Sequence, residues 1–410
     1  MQGAAGGVIP FRCNPTTSFG EALMTVRTVS NLPAAMHIET ARCLFAIELS
    51  KQSWVIGFIT PLSAKISRRI LSGGDWKGLL DLIEEVRARV SRETGRAVDV
   101  ISCYEAGYDG FWLHRLLEAH GIRNYVIDPA SLQVDRRARR VKTDRIDTER
   151  LLRSLMAYLR GEPKVWSVVR VPSVAEEDAR RLHRERDRLV SERVQHVNRI
   201  KGLCALHGIC DYQPLRPQAM TRLEQLRTAQ GISLPPRLKS EIKRELQRLE
   251  LVVEMIATLE AERDAIVEDE ASTHVNAKKI QNLHQLKAIG PEFAAVLVGE
   301  IFHRKFNNRR QLASYVGYAP SPFQSGNVAH DQGISKAGNR KGRTTGIELA
   351  WLWLRYQPDS DLSVWFRARV GTTKGRIRRI AIVALARKLL VALWRYLETG
   401  VVPRGAVLKG

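Results

Sequence analysis

Two carboxylates three residues apart, Asp144 and Asp147, lie in the stretch VKTDRIDTERL, Val141 to Leu151. The segment reads as the start of a helix, which turns both acids to one face. Immediately upstream runs DRRARR, Asp135 to Arg140. Its Arg136, Arg137, Arg139 and Arg140, with Lys142 beyond, form a density of positive charge suited to a phosphate backbone. Acids on one helical face beside a basic run are what a metal-dependent nuclease or strand transferase needs. Carboxylate oxygens hold hard cations such as Mg²⁺ or Mn²⁺, and the cations activate and clamp a scissile phosphate. The plain alternative is a solvated helix start, with Asp144 complementing the helix dipole and Asp147 pairing with an arginine. Acids arriving from neighbouring strands would decide between the two.

The elements upstream supply them. Short apolar runs at 42–47, 54–60 and 65–71 read as three strands, and Ser72-Gly-Gly ends the third. Asp75 to Arg92 has helical periodicity through Leu79, Leu82, Ile83, Val86 and Val90. A buried strand follows at 98–104, a helix at 108–120 and a short strand at 125–127. The order is that of an α/β domain with a hairpin-rich first half and crossover helices after it. Glu48 ends the first strand, Glu105 ends the fourth, and Asp144 with Asp147 opens the next helix. Ligand sites in such sheets gather at strand ends. Four converging carboxylates would hold two divalent ions, whose charge offsets the repulsion between the acids. Singly, Glu105 could cap a helix and Glu48 could be an exposed acid; together, beside the basic run, they favour the metal site.

Bulk composition points the same way. Lys and Arg number 65 against 43 Asp and Glu, a formal charge of +22. Such an excess makes a polyanion, nucleic acid first, the expected partner. No apolar run reaches the length of a membrane span; the best, Ile380 to Trp394, is interrupted by Arg387 and Lys388. Residues 1–40 read as a disordered leader without signal-peptide character, or as an upstream start with Met24 or Met36 as the first residue. The five cysteines show no CxxC pair and no zinc spacing, which suits a reduced cytoplasmic protein. There is no Walker A loop, no HExxH and no G-x-G-x-x-G after a strand, which disfavours a motor, a zinc protease and a dinucleotide enzyme.

The remainder reads as mostly helix. Ser173 to Leu206 is long and charged, with Val190, Val194, Val197 and Ile200 marking one apolar face. A second long helix, from Leu238 to about Val267, carries Ile242, Leu246, Leu249, Val253 and Ile256 in steps of four and three, a coiled-coil seam. The two could pair as an antiparallel hairpin or self-associate between chains. LKAIGPEFAAVLVGEI, Leu286 to Ile301, places a Gly-Pro turn between short helical segments. It resembles a helix-hairpin-helix element, whose turn amides can face a phosphate, or equally a packing corner. Arg310 to Arg343 then reads as a long loop without periodicity, the kind that is functional or disordered. Ser325-Gly326 lies at its middle, followed by Lys336, Arg340, Lys341 and Arg343. A serine there is a candidate nucleophile for a phosphate, with the basic groups stabilising charge; the alternative is a turn serine.

Nearly the whole length from residue 41 resembles the transposases of the insertion-sequence 110 family. The matching stretches are CYEAGYDGFWLHRLL, VKTDRIDTERL, LKAIGPEFAAVL, RRQLASYVGYAPSPFQSG…GISKAGNRKGR and ARKLLVALW. The resemblance implies an α/β RNase H-like (RuvC-like) DEDD catalytic domain over 41–165, a coiled-coil region over 166–275 and a mostly α serine transposase domain over 276–410. Glu48, Glu105, Asp144 and Asp147 match the metal-binding acids, and Ser325 matches the nucleophile. The family is implied to cut and rejoin donor and target DNA through a phosphoserine link, guided by a noncoding bridge RNA. It is further implied to work as a dimer or tetramer, acids of one subunit with the serine of another, on the bacterial nucleoid. Two positions depart from the pattern: Glu48 stands where Asp is usual, and Gly342 where an apolar residue is general. A junction nuclease that uses water, and an inactive nucleic-acid-binding copy, are the rival readings.

Overall fold

The apolar runs of the N-terminal half form a single five-stranded sheet. The structure, a computed structural model, describes residues 40–108, 110–132, 144–269, 272, 274–325, 328–373 and 375–409. The leader expected over 1–40 lies outside these, save for Thr40. Two compact units divide the chain, Met1–Arg170 and Val171–Gly410.

In the first unit β1 (Ala41–Leu49), β2 (Ser53–Thr60) and β3 (Ser63–Ser72) form an antiparallel meander. β4 (Val98–Glu105) then joins the other edge of β1 in parallel, and β5 (Arg123–Ile127) pairs in parallel with β4. The order is β3-β2-β1-β4-β5. α1 (Trp76–Thr94) and α2 (Trp112–Ala119) supply the crossovers that parallel pairing requires. α1 is capped by the Asp75 carboxylate, which accepts from the Gly78 amide, and stops at Gly95, whose φ of 64° is left-handed. It buries Leu79, Leu82, Ile83, Val86 and Val90, the residues its periodicity singles out.

α3 (Asp144–Leu159) crosses the opposite face. There Leu151, Leu152 and Leu155 form one core with Leu44 and Ala46 of β1, Ile101 and Cys103 of β4, and Ile127 of β5. Its first turn sits close to the sheet because β2 offers Gly57 beneath it. A Cβ at Gly57 would lie 2.5 Å from Thr148 Cγ2, and Thr148 is fully buried. Arg68 of β3 reaches Glu149 at 3.5 Å and ties the same turn from the side.

The second unit is helical apart from one ribbon. The single long helix expected from residue 173 is two, α4 (Val174–Asp178) and α5 (Arg181–Ala205), the first opened by a Ser173–Glu176 capping box. α6 (Ala219–Gln225) precedes α7 (Pro236–Glu268), which folds back on α5. The pairs Arg186–Glu260, His196–Glu245 and Arg199–Glu241 step down α7 as they step up α5, so the two helices run antiparallel within one chain. The buried seam is narrower than the heptad reading. Val253 and Val194 are exposed, while Val252 and Leu189 are buried.

α8 (Ala277–His284) and α9 (Pro291–Leu297) flank the Gly290-Pro291 turn, and α9 continues as a π-helical turn, Val298–Phe302. The chain's own tail lies on this corner: the Lys287 amide donates to Val407 O, and Lys409 Nζ donates to Ile289 O. α10 (Arg309–Tyr315) follows. The stretch read as unperiodic loop then forms a ribbon of β6 (Pro320–Ser325) and β7 (Val328–Ile334). α11 (Arg340–Tyr356), α12 (Asp361–Val370) and α13 (Arg376–Thr399) complete the core around Leu349, Trp353, Leu385, Leu389 and Leu393. Among the described residues no helix is long and apolar enough to cross a membrane.

One buried carboxylate knits this unit. Glu300, on the π-helical turn, accepts from His183 Nε2 at 2.9 Å, Arg184 Nε at 2.7 Å and Asn339 Nδ2 at 2.9 Å. Asn339 also caps α11, accepting from the Gly342 amide, and Tyr315 of α10 donates to Glu300 O. Burial alone would raise the Glu300 carboxyl; the bonds from His183, Arg184 and Asn339 outweigh it and hold it well below the usual carboxylate range. A depressed folded pKa stabilises above the unfolded value, near 4.3 for Glu, and the gain fades as pH falls through the folded value.

Two outcomes are expected. Gly57→Ala should destabilise the protein by about 1–3 kcal/mol in urea unfolding, the usual cost of overpacking; unchanged stability would show that Thr148 yields. Glu300→Gln should cost about 1.5–3 kcal/mol at neutral pH, the worth of hydrogen bonds to a charged group. Its deficit should shrink as the pH falls below about 4; a pH-independent deficit would refute the carboxylate's role.

Candidate active site

The register of β1 with β4 places the first two acids side by side. Ile47 pairs with Tyr104, and Glu48 and Glu105 are the next residues along each parallel strand. Adjacent strands lie about 4.8 Å apart, and residues at one register share a face. That face belongs to α3, because Leu44, Ala46, Ile101 and Cys103 point to it and Glu48 and Glu105 continue the same alternation. Both acids line a cleft of about 310 Å³ with Ser50, Lys51, Gly107 and Tyr108. Lys51 Nζ sits 4.4 Å from the centre of the Tyr108 ring, and Tyr108 is 83% exposed.

Asp147 comes to the same face from the first turn of α3 and is buried. Arg150, one turn further on, lies between two acids: its Nη2 is 3.4 Å from Glu105 Oε1 and 3.5 Å from Asp147 Oδ1. The plain reading of Asp147, pairing with an arginine, is therefore realised as well. Asp147 Oδ2 is buried and accepts no hydrogen bond among the described residues. Asp144 opens α3, and its side chain lies outside the described residues, as do Arg136, Arg137, Arg139, Arg140 and Lys142. Among the described residues, no three His, Cys, Asp or Glu side chains converge as a ready metal cluster. The guanidinium set between Glu105 and Asp147 is one physical reason.

In the second unit Ser325 is exposed at the end of β6, where it pairs with Val328 across the two residues Gly326 and Asn327. The ribbon is exposed along nearly all of both strands, and the rings of Phe323 and His330 meet across it, tilted by 37° with centroids 4.9 Å apart. The basic candidates lie at its other end. Pro320 pairs with Ile334, and Ser335 donates to Ala319 O, so Lys336 follows the base of the ribbon. Five residue steps along β6 separate that base from Ser325, roughly 17 Å. Lys336 has a left-handed φ of 58° and is exposed, as is Arg340. Lys341 pairs with Asp187 of α5 at 2.6 Å. Arg343 donates to Val316 O at 3.0 Å and Ala337 O at 3.3 Å, and so holds the loop before α11.

Sequence reasoning passed over Arg150, Lys51, Tyr108 and Gly57. Arg150 had a signal: it stands three residues after Asp147 on one helix, on the face already assigned to the acids. Gly57 had none, since a lone glycine in a strand does not announce which helix it admits.

The chain is similar to known transposases. Residues 280–363 match the family described as Transposase IS116/IS110/IS902 family. Residues 51–209 match the DEDD transposase family of IS110, described as Transposase. The chain is similar to "Putative transposase y4rJ" of Sinorhizobium fredii, 49% identical over 92% of this chain and 97% of the relative. It is also similar to the transposase for insertion sequence element IS1111A of Coxiella burnetii, 27% identical over 62% of this chain and 66% of the relative. A sheet that brings Glu48 and Glu105 together under α3, followed by a helical unit bearing the Ser325 ribbon, is in this chain the architecture of the IS116/IS110/IS902 transposase family, to which it belongs.

Proposed function

We propose that this protein moves an insertion sequence by cutting and rejoining DNA, with a divalent metal on the acids and Ser325 as the nucleophile. The observation that carries the reading is the register that sets Glu48 beside Glu105 on the α3 face of the sheet, with Asp147 of α3 sharing Arg150 with Glu105. The strand order, three antiparallel strands followed by two parallel ones, supports an RNase H-like domain. The donor set fits Mg²⁺ or Mn²⁺: all three ligands offer hard carboxylate oxygen, and buried Asp147 Oδ2 has no hydrogen bond to lose among the described residues. Glu48, Glu105, Asp144 and Asp147 would hold the ion, which supplies Lewis-acid stabilisation of charge on the phosphate. Glu48 in place of Asp keeps the charge and adds one methylene of reach.

The serine chemistry belongs to this chain's own residues. Ser325 Oγ attacks the scissile phosphorus, its proton passes to water, and the bond to one DNA oxygen breaks to leave a free hydroxyl. A hydroxyl of the new DNA partner then attacks the phosphoserine, which rejoins the strand and releases Ser325. Exposure near the tip of a two-stranded ribbon suits a nucleophile that must reach a bulky duplex. Exposed Lys336 and Arg340, and the arginine run 136–140 with Lys142, act as phosphate contacts in this reading. Of the remaining basic candidates, Lys341 ties α11 to Asp187 of α5 and Arg343 holds the loop before α11, so both act through structure rather than on phosphate. The +22 charge also suits a noncoding bridge RNA that selects donor and target. Self-association as a dimer or tetramer is part of the proposal, and exposed Leu251 and Met255, one turn apart on α7, offer it a small apolar patch. The bacterial cytoplasm, on the nucleoid, is the proposed location.

A denaturing gel tests the mechanism. Protein, junction DNA, the noncoding-end RNA and Mg²⁺ should give a protein–DNA adduct that disappears with Ser325→Ala and, separately, with Asp147→Asn. Cleavage that survives Ser325→Ala would assign the water-using nuclease instead, and RNA binding with neither adduct nor cleavage would assign an inactive copy.

A further inference from the structure

We propose that Arg150 is an internal counter-cation, holding Glu105 and Asp147 together in the metal-free protein and yielding that place when the divalent ion binds. The inference rests on the reading that these acids hold a metal. Two negative groups drawn to one face of a sheet repel each other, more strongly the less water reaches them. Asp147 and Glu105 are 12% and 25% exposed at their side chains, and Arg150 is 31% exposed. A guanidinium between them offsets that repulsion wherever no ion does so.

Three features make the arrangement exchangeable rather than permanent. Both contacts are long, 3.4 and 3.5 Å, at the weak end of the hydrogen-bond range. Each acid meets Arg150 through one oxygen, and Asp147 Oδ2 is left without a hydrogen bond among the described residues. Arg150 Nε is itself buried and makes no hydrogen bond among the described residues. The neighbouring helix residue, Glu149, pairs with Arg68 of β3 at 3.5 Å. Arg150 is therefore a positioning residue, one whose charge opposes an incoming cation while preserving the spacing that cation needs.

The test uses the full-length protein and Mn²⁺ alone, followed by calorimetry, by the electron paramagnetic resonance of the bound ion and by thermal unfolding. Arg150→Gln should bind Mn²⁺ about tenfold or more tightly than the wild type, since one opposing charge a few ångströms from the ion is removed. Without metal the variant should melt lower than the wild type, and saturating Mn²⁺ should close that gap. Mn²⁺ affinity equal to or weaker than that of the wild type would overturn the counter-cation role while leaving the metal site standing. Absence of Mn²⁺ binding in the wild type, unchanged in Asp147→Asn, would overturn the metal reading, and this inference with it. Should Arg150→Gln fail to fold, the Arg150 Nε–H resonance of the wild type, assigned by its loss in Arg150→Lys, gives the answer. It should shift as Mg²⁺ is added; a resonance indifferent to saturating Mg²⁺ would overturn the proposal.

Discussion

Parallel pairing between β1 and β4 is the constraint on which the first unit depends. The register that sets Ile47 against Tyr104 also sets Glu48 beside Glu105, and a slip of one residue would send either acid to the other face of the sheet. The acids therefore cannot be arranged independently of the core: Ala46 and Cys103, two positions upstream, point the same way and pack under α3. Burial of that apolar row enforces the polar end of it. α3 completes the arrangement, and its approach is governed by the absence of a side chain at Gly57. Stability and site geometry are in this unit one problem.

The second unit solves a different problem with a buried charge. Glu300 joins the start of α5, the π-helical turn, α10 and the cap of α11, four elements that meet no common strand. A carboxylate can do so because it accepts several bonds at once, and the arginine, histidine and asparagine around it compensate for its loss of water. π-helical turns interrupt regular backbone and recur at functional positions. Here the interruption presents a side chain inward and leaves the Glu300 carbonyl to accept from both Tyr315 and Asn339. The base of the Ser325 ribbon is thus attached to a rigid frame.

Much of this was legible beforehand, and the failures are instructive. Strand and helix periods located Glu48, Glu105 and Asp147, because each is placed by backbone repeat and burial alone. The ribbon at 320–334 was not legible: Pro320, Pro322 and Gly333 argue against a strand, and an exposed ribbon buries no apolar face to announce itself. Arg343, read as a phosphate contact, turned out to donate to two carbonyls, a use that depends on a loop fold no local pattern encodes. On α7 the reading differed by one residue: Val252 is buried and Val253 exposed. Arg150 was missed because a guanidinium shared by two acids is a fact about tertiary distance.

Gly342 stands where the resemblance leads one to look for an apolar residue. The structure gives a reason: a Cβ there would lie 2.8 Å from Ile301 Cγ1 on the π-helical turn. The two positions fill one volume between them, and this chain has given that volume to Ile301. A larger side chain at the first position would require the Ile301 side chain to move aside or be replaced by a smaller one. Distant in the chain, the two should covary across the family as a single packing choice inherited together.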